Sequence, residues 1–526
     1  MITSIREKLT LQKNTSKISD VKPIGVNDVL TSLKDDEKIH KKHNGDKKDK
    51  KGDENAKKED KKYDRKANKK DDKKDKKKDK KDDKDNKKDK KDDKKEDKED
   101  DKKGAGGNPN DILFYKGKEP VYDPKPKPGN IDISEMMPEI NKIPRIAPVV
   151  ADAEGPGYLT QGGTGGRTLY VTTTEDYVSG SLRWALGQSF PRIIKFKVGG
   201  FFSLSGKDVK IKSPRVTLDG SDAPSPVVII DTMILIANTY DVIIRHVRCR
   251  PGDRVALRKG EFKNSKLDGP ADAITVEDSV YVLIDHVSAS HGTDELISVT
   301  GGRYITVQRC LIAKPLNNPL LHIEDGKGQL HAFGSLQGGD KVAFIKCVIA
   351  YFMHRGTQMT DGKVALINCI ISNFGETATK LTTDADLEEG THAIIVNNYY
   401  GPRLQEPDGK QTAPMIQFAG DGIGSYPESK VLIYGSLGLD RTRQDQDQWV
   451  GVQYSKIDDT LVKTWRVDTA PWNVNPVALL RTEDVYENVL ADVGSTLPKQ
   501  DAIDARIIKQ VRSKKPGRYV KSQDDE

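Results

Sequence analysis

VAFIKCVIA (342–350) is followed by VALINCIIS (364–372), and the two runs align when Lys346 is placed on Asn368. Both runs are short, rich in β-branched side chains and bounded by Gly, Asn or Asp, as is typical of buried strands. Four related runs flank this pair: VIIRHVRC (242–249), VLIDHVSA (282–289), ITVQRCLIA (305–313) and AIIVNNYY (393–400). The six runs align on His246, His286, Arg309, Lys346, Asn368 and Asn397.

The length of this repeat predicts the fold class. The shortest steps, from His286 to Arg309 and from Lys346 to Asn368, span about 22 residues, which lies within the range of repeat architectures. The longer steps carry insertions rich in Gly, Pro and charge. Few helical patterns separate the runs, which argues against alternating βαβ units. One strand-turn-strand unit per period predicts an all-β parallel β-helix, whose coils stack on one another.

A further pattern precedes the repeat. SGSLRWAL (179–186) predicts a short helix, with Ser179 or Ser181 as N-cap. The open end of a β-helix exposes unpaired strand edges, which invite association with other chains. We therefore expect this helix to cover the N-terminal end.

The cysteines follow the same repeat. Cys310, Cys347 and Cys369 fall at equivalent positions, so we expect stacked, buried and reduced thiols. Four Cys in so long a chain do not indicate a disulfide framework. No His or Cys pairs at zinc spacing accompany them, so a zinc site is not expected.

One segment accounts for the net charge of the chain. Segment 46–103 contains 29 of the 87 Lys and Arg and 22 of the 80 Asp and Glu, so the rest of the chain carries equal numbers of both signs. The segment has only Tyr63, Ala56 and Ala67 as apolar residues, so it cannot bury a core and is predicted to be disordered. Its Lys alternates with Asp and Glu, and no aromatics interleave for base stacking, so it does not indicate a nucleic-acid or membrane protein.

Composition divides the rest of the chain. We expect a short polar segment (1–45), which is a candidate for attachment to another protein, then the disordered run (46–103) and a Gly/Pro-rich linker (104–150). The folded domain is expected over 151–515, with a polar tail over 516–526. Neither a long apolar run nor an apolar leader occurs, so membrane insertion and a classical signal peptide are not expected.

Beyond Ala151 the motifs occur in the order of a known family. AEGPGYLTQGGTGGRTLYVTTTEDYVSGSLRWAL resembles an N-terminal entry and cap, and ADAITVEDSVYVLIDHVSASHGTDELISVT resembles a segment with a calcium site and a W-I-D-H signature. HAFGSLQGG and YENVLADVGSTLPKQDAIDARIIKQV resemble a later coil and a C-terminal tail. Together they resemble the pectate lyases of the right-handed, single-stranded parallel β-helix type.

The resemblance implies a calcium-assisted β-elimination on an acidic polysaccharide. Asp272 matches a calcium-ligand position of the family, and Asp268 is a second candidate. Asp294 matches the first acid of the following coil, where the second acid is replaced by Ser298. Calcium prefers such clustered carboxylates, although turn residues and solvated charges give the same pattern.

The resemblance also suggests other site residues. Asp285 and His286 match the family signature, with Leu283 at its aromatic position, and are expected to order the coil beside the site as a buried, hydrogen-bonded pair. The family's R-x-P motif is missing, because Thr357, Gln358, Met359 and Thr360 occupy it. Arg355, two positions earlier and on the same face of a strand, is the candidate base. His354 and Lys314 are candidate substrate contacts. The alternative for Arg355 is a surface or substrate-contacting arginine, and Lys314 is open to a similar alternative.

Two functions fit these residues. The first is a pectate lyase-like enzyme that cleaves a polyuronate with calcium. The second is a catalytically inactive, glycan-binding or structural β-helix, for example a component like a phage tail spike. Either is expected to act outside the cell or on a virion, by a route that needs no signal peptide.

Overall fold

The computed structural model describes residues 112–113, 115, 132–204, 208–254, 272–317, 323–324, 327–328, 331–382, 390–405, 414–419, 429–455, 457 and 459–525. They lie in one compact unit, Lys102–Glu526. The α-helices of these residues are α1 (Ile133–Ile140), α2 (Leu182–Leu186), α3 (Asp459–Trp465), α4 (Thr482–Ala491) and α5 (Ala502–Arg512).

Short strands form most of the unit. They are β1 (Arg167–Val171), β2 (Arg192–Phe196), β3 (Gly200–Ser203), β4 (Val209–Ile211), β5 (Val216–Asp219), β6 (Val227–Ile230), β7 (Ile234–Ala237), β8 (Tyr240–Arg245), β9 (Arg248–Arg250), β10 (Ile274–Glu277), β11 (Val280–Asp285), β12 (Ser288–Ala289), β13 (Ile297–Gln308), β14 (Leu311–Ala313), β15 (Ile323–Glu324), β16 (Lys327–Gly328), β17 (Ser335–Ile345), β18 (Val348–Phe352), β19 (Thr357–Ile367), β20 (Ile370–Phe374), β21 (Thr379–Thr382), β22 (Thr391–Val396), β23 (Tyr399–Tyr400), β24 (Ile416–Ala419), β25 (Lys430–Tyr434) and β26 (Val452–Ser455).

All of these strands except β15 and β16, which form a separate antiparallel pair, belong to three parallel faces. Face A contains β4, β7, β10, the first parts of β13, β17 and β19, then β21, β24 and β26. Face B contains β1, β2, β5, β8, β11, the second parts of the same three long strands, then β22 and β25. Face C contains β3, β6, β9, β12, β14, β18, β20 and β23. The chain passes from A to B to C in each coil, so the expected parallel β-helix is confirmed.

The turns from face B to face C explain why the repeat is visible in the sequence. His246, His286, Arg309, Lys346, Asn368 and Asn397 each occupy this turn and have φ between 49° and 55°. This left-handed conformation is uncommon outside glycine, and Asn tolerates it best. Each amide in the series donates to the next coil, for example from His246 N to His286 O at 3.2 Å and from Asn368 N to Val396 O at 3.0 Å. These stacked backbone hydrogen bonds hold six residues with different side chains in the same backbone conformation.

Aliphatic side chains form ladders inside the coils. One ladder on face B runs through the following buried, register-matched residues: Val216, Val242, Val282, Ile305, Val342, Val364, Ala393 and Val431. Cys310, Cys347 and Cys369 lie just after the left-handed turn, and all four cysteines are free and buried. The expected stack of reduced thiols is therefore present, and none of the four cysteines forms a disulfide.

A short helix covers the N-terminal end of the core. Leu182, Ala185 and Leu186 of α2 pack into the main hydrophobic cluster. Ser181 is the N-cap, and its side chain accepts from Trp184 N at 3.1 Å. The sequence predicted both the helix and one of its two candidate caps correctly.

Residues 132–150 differ from the extended linker that the sequence predicted over 104–150. Asp132 caps α1, and Ile133, Met136 and Ile140 pack against Val280 on the outside of face B. The Pro- and Gly-rich composition concealed three apolar residues at helical spacing, and these supply the burial that holds α1 in place. The segments 1–45 and 46–103 lie outside the described residues.

The C-terminal helices cover face C. Val485 and Val489 of α4 and Ile507 and Val511 of α5 pack on the outward side chains of that face. A buried ion network fixes α5 in place. The Arg250 guanidinium lies 2.7 Å from both Asp501 Oδ2 and Asp504 Oδ1, and Arg248 Nε lies 3.2 Å from Asp504 Oδ2.

The chain beyond α5 is not a free tail. Residues 513–525, which we call the strap, run across the turns that lead from face C to face A. Gly517 N donates to Asn373 Oδ1 at 2.6 Å, Asn317 N to Val520 O at 2.7 Å, and Asp253 N to Gln523 Oε1 at 3.2 Å. The predicted boundary at 515 therefore falls inside a packed segment. None of the described helices is long and apolar enough to cross a membrane.

Candidate functional site

The candidate site lies where the turns from face C to face A end, which we call the C–A turns. Asp272 precedes β10, while Asp294 and Glu295 precede β13 in the next coil. Because the coils stack in parallel, these carboxylates converge, and one oxygen from each lies within 4.8 Å of one oxygen from each of the others. Asp272 is oriented by Thr275 Oγ1, which donates to Oδ2 at 2.7 Å, and by Glu295 N, which donates to Oδ1 at 3.1 Å.

Ionising all three carboxyl groups of this cluster at once is unfavourable, because they are close together and largely buried. Burial, followed by the Asp294 charge, raises the pKa of Asp272 to about 6, although hydrogen bonds from neighbouring groups oppose the shift. Burial together with the charges of Asp294 and Asp272 raises the pKa of Glu295 to about 9, against the opposing charge of Arg355. The cluster holds protons at neutral pH when nothing else compensates its charge.

Arg355 is brought to this cluster. It lies between β18 and β19, and its Nη1 atom is 3.2 Å from Glu295 Oε1. The guanidinium also lies over the Phe333 ring, 4.1 Å from the centroid. About a third of the side chain is exposed (31%), so one face of the guanidinium can be reached from solvent. The candidate base and two of the candidate metal ligands therefore share one site.

Three residues of this site were missed by reasoning from the sequence. Glu295 takes the place expected for a second acid at Ser298, since the side chain next to Asp294 turns into the cluster. His331 Nδ1 lies 2.6 Å from Asp294 Oδ1. Phe333 packs against His331, with centroids 4.6 Å apart, and supports Arg355. The position of Glu295 directly after Asp294 was a signal in the sequence that it could join the cluster. The segment HAFGSL contains no pattern that predicts the contacts of His331 and Phe333.

The two candidate substrate contacts, His354 and Lys314, lie in different places. His354 adjoins the site, with its ring 5.9 Å from that of Phe333. Burial and the charges of Lys380 and Arg355 lower the pKa of His354 to about 4, so its imidazole is neutral at pH 7. Lys314 occupies a C–A turn but on the side of face C, where it lines a cavity under the strap. Asp268 lies outside the described residues.

Asp285 and His286 lie at a different corner, where face B ends. His286 Nδ1 is 2.9 Å from Asp285 Oδ1, and Gln308 Nε2 donates to the same oxygen at 2.8 Å. Burial would lower the pKa of His286, but Asp285 and Asp492 outweigh it and raise the pKa. The ring stacks on His246 at 5.0 Å. This geometry agrees with a pair that orders the coil.

The donor set at the acid cluster fits a hard divalent cation. Asp272, Asp294 and Glu295 offer carboxylate oxygens, which are the ligands that calcium prefers, and burial together with the neighbouring acids raises the pKa of Asp272 and of Glu295, as expected where little positive charge compensates them. The His246, Asp285 and His286 group also has its ligand atoms within 4.8 Å. Arg245 Nη2 lies 3.1 Å from Asp285 Oδ2, however, and already supplies the positive charge at that corner.

Sequence comparison finds pectate lyases. The chain is 37% identical over 166 residues to "Probable pectate lyase C" of Emericella nidulans, which is 31% of this chain and 36% of that protein. It is 30% identical over 197 residues to "Pectate lyase 2" of Ambrosia artemisiifolia, covering 34% of this chain and 47% of that one. The chain thus matches between a third and a half of the length of these relatives. The predicted resemblance to pectate lyases is confirmed, and no family model matches the chain.

Comparison with solved structures also finds pectate lyases, at lower sequence identity. A pectate lyase bound to hexasaccharide is 14% identical, with a TM-score of 0.44, over 65% of this chain and 96% of that one. A pectate lyase of Bacillus sp. N165 in complex with trigalacturonate is 15% identical, with a TM-score of 0.42, over 65% and 98% of the two chains.

Proposed function

We propose that the protein is a polysaccharide lyase that cleaves an acidic polyuronate by calcium-assisted β-elimination. The observation that carries the proposal is the convergence of Asp272, Asp294 and Glu295 within 4.8 Å, with Arg355 bonded to the cluster. The names of the curated relatives support a lyase and a pectate-like substrate. The acid cluster beside Arg355, whose side chain is about a third exposed, favours a lyase over an inactive binding β-helix.

Each residue of the cluster has a task in this proposal. Asp272, Asp294 and Glu295 would hold the calcium ion, which when bound neutralises a uronate carboxylate and so acidifies the proton at C5. His331 and Thr275 orient Asp294 and Asp272 through the hydrogen bonds at 2.6 Å and 2.7 Å. In this proposal the sugar ring would lie over these carboxylates, next to Arg355.

Arg355 is the chain's candidate for the proton transfer. A nearby carboxylate favours the charged guanidinium, so Arg355 in its present contact with Glu295 is suited to bind a uronate carboxylate. To accept the C5 proton, the guanidinium has to leave Glu295 and lose its own proton. The Phe333 ring, 4.1 Å from the guanidinium, supports the side chain next to the cluster.

The test is an assay for the unsaturated product on several polyuronates, with calcium and with chelator. We expect turnover with calcium only. Arg355→Ala is expected to lose at least about a hundredfold in kcat, the range for a positioned acid–base group. Arg355→Lys keeps the charge but not the planar fork, so it is expected to retain KM better than kcat.

The matched control is Asp492→Asn, which removes an exposed carboxylate (59%) at the other corner. This variant is expected to keep both kcat and KM. Absence of product on every polyuronate in the presence of calcium would refute the lyase proposal. Binding of oligouronate without turnover would instead establish the glycan-binding alternative.

A further inference from the structure

The side chain of Arg355 is held at the acid cluster by few polar contacts. Its Nη1 atom donates to Glu295 Oε1 at 3.2 Å, which is the one hydrogen bond of this side chain with the residues that the structure describes. Its Nε atom is buried and has no hydrogen-bond partner among those residues. A guanidinium has five N–H donors, so most of the donor capacity of Arg355 is unused. The side chain can therefore change partners without breaking an extensive network.

The backbone of Arg355, in contrast, is firmly held. Arg355 has a φ of 54°, a left-handed conformation that is uncommon for residues other than glycine. Its carbonyl oxygen accepts from Gly334 N at 2.9 Å and from Ser335 N at 3.0 Å, which ties this residue to the preceding coil. We therefore expect a change of partner at Arg355 to occur in the side chain and not in the backbone.

The charge of Arg355 opposes the ion that the acid cluster is suited to hold. Glu295 is buried, and it is both the partner of Arg355 and a member of the group with Asp272 and Asp294. A calcium ion brings two positive charges, and a proton that leaves Glu295 takes away only one of them. The cluster gains positive charge with or without that proton, so repulsion from the neighbouring guanidinium weakens calcium binding. Arg355 and calcium thus compete for the same carboxylate.

We infer that Arg355 couples calcium binding to substrate binding, by exchanging Glu295 for a uronate carboxylate. Arginine forms strong, directional pairs with carboxylates, and the exposed part of this guanidinium can meet one from solvent. A uronate that pairs with Arg355 would release Glu295 to calcium, and calcium on Glu295 would release Arg355 to the uronate. Because such coupling is reciprocal, each ligand raises the affinity for the other by the same factor. The identity of both ligands rests on the proposed function.

The experiment is calorimetric titration of the full chain with calcium at one pH. Arg355→Gln is expected to bind calcium about tenfold more tightly than wild type, the range for one hydrogen bond to a charged group. Arg355→Lys keeps the positive charge, so its calcium affinity should stay closer to that of wild type. Arg443→Gln is the control and should bind like wild type, because it removes an exposed arginine whose partner is Asp445.

Two further comparisons test the exchange of partners itself. In the Glu295→Gln background there is no carboxylate for Arg355 to release, so Arg355→Gln should gain clearly less than tenfold there. Calcium titrations are then repeated with saturating trigalacturonate, after subtraction of a blank of calcium with the sugar alone. Trigalacturonate should raise the calcium affinity of wild type more than that of Arg355→Gln, because the variant has no arginine to draw away from Glu295.

The outcomes separate this inference from the proposed function, because none of these measurements depends on turnover. An active lyase in which Arg355→Gln binds calcium no more tightly than wild type would overturn the inference alone. An equal gain from Arg355→Gln with and without Glu295 would do the same. The expected coupling in a chain without lyase activity would support the exchange and reject only the proposed reaction. Absence of calcium binding in wild type and Arg355→Gln alike would overturn both.

Discussion

Calcium binding at the acid cluster should be coupled to proton release, mainly from Glu295. Burial and the neighbouring acids raise the pKa of Glu295 to about 9, so this carboxyl is almost fully protonated at pH 7. A ligand carboxylate has to be deprotonated before it can bind calcium. A gap of about two units costs roughly 3 kcal/mol and lowers the apparent affinity on the order of a hundredfold at pH 7.

The assay is calcium titration by calorimetry between about pH 6.5 and 8.5, in pairs of buffers with different ionisation enthalpies. We expect the logarithm of the affinity to rise by about one for each pH unit, and about one proton to be released per ion. Glu295→Gln cannot hold this proton, so its affinity should be nearly independent of pH over the same range. The Asp492→Asn control should behave like wild type.

A flat pH dependence for wild type, with no proton released, would refute the reasoning. It would show either that Glu295 is already ionised through Arg355 or that it is not a ligand. The Glu295→Gln variant distinguishes the two explanations. It weakens calcium binding at every pH if Glu295 is an ionised ligand, and it leaves calcium affinity unchanged if Glu295 is not a ligand.

Other predictions concern stability and the core. Without calcium, the raised pKa values of Asp272 and Glu295 predict that the free energy of unfolding depends on pH. Their stabilising contribution is fully present in acid, below the ordinary carboxyl values near 4, and is lost as pH rises through about 6 and about 9. Urea midpoints across this range check the prediction, and Glu295→Gln should remove the loss of stability near pH 9. Asp504→Ala should lower the free energy of unfolding by about 3–5 kcal/mol, because it leaves Arg248 and Arg250 buried with fewer partners. Asp524→Ala breaks only an exposed pair and should cost less than about 1 kcal/mol; an equal loss would contradict the assignment. A thiol reagent should label no cysteine in the native protein and all four after unfolding; rapid native labelling would show that the core opens.

The β-helix was predictable because its repeat lies in residues that face the core. The six aligned positions in the runs from 242 to 400 coincide with six left-handed residues at turns from face B to face C. The pattern of apolar residues on either side fixed that alignment, because Arg309 and Lys346 are not residues that favour such a turn. The Ser181 cap was equally local and needed no tertiary information.

The site was only partly predictable, since its contacts join different coils. Asp272, Asp294 and Arg355 were named as candidates because they follow a known order of motifs. Glu295 was not named, because spacing along one coil does not show which side chain turns toward the neighbouring coil. The strap was predicted as a polar tail, since its few hydrogen bonds to distant turns leave no periodic pattern in the sequence.

The route of the strap bears on how the protein is made. Each coil pairs with the coils directly before and after it in the chain, so coils can assemble while the chain is still being synthesised. The strap instead bonds Gln523 to Asp253, across 270 residues, and Arg250 can pair with Asp501 only once the start of α5 has been made. A ribosome-bound chain that lacks α5 and the strap would therefore carry formed coils, a partly uncovered face C, and Arg248 and Arg250 without Asp501 and Asp504. The acid cluster can take shape early, but the cavity under the strap exists only after the strap has been released and has closed over the turns.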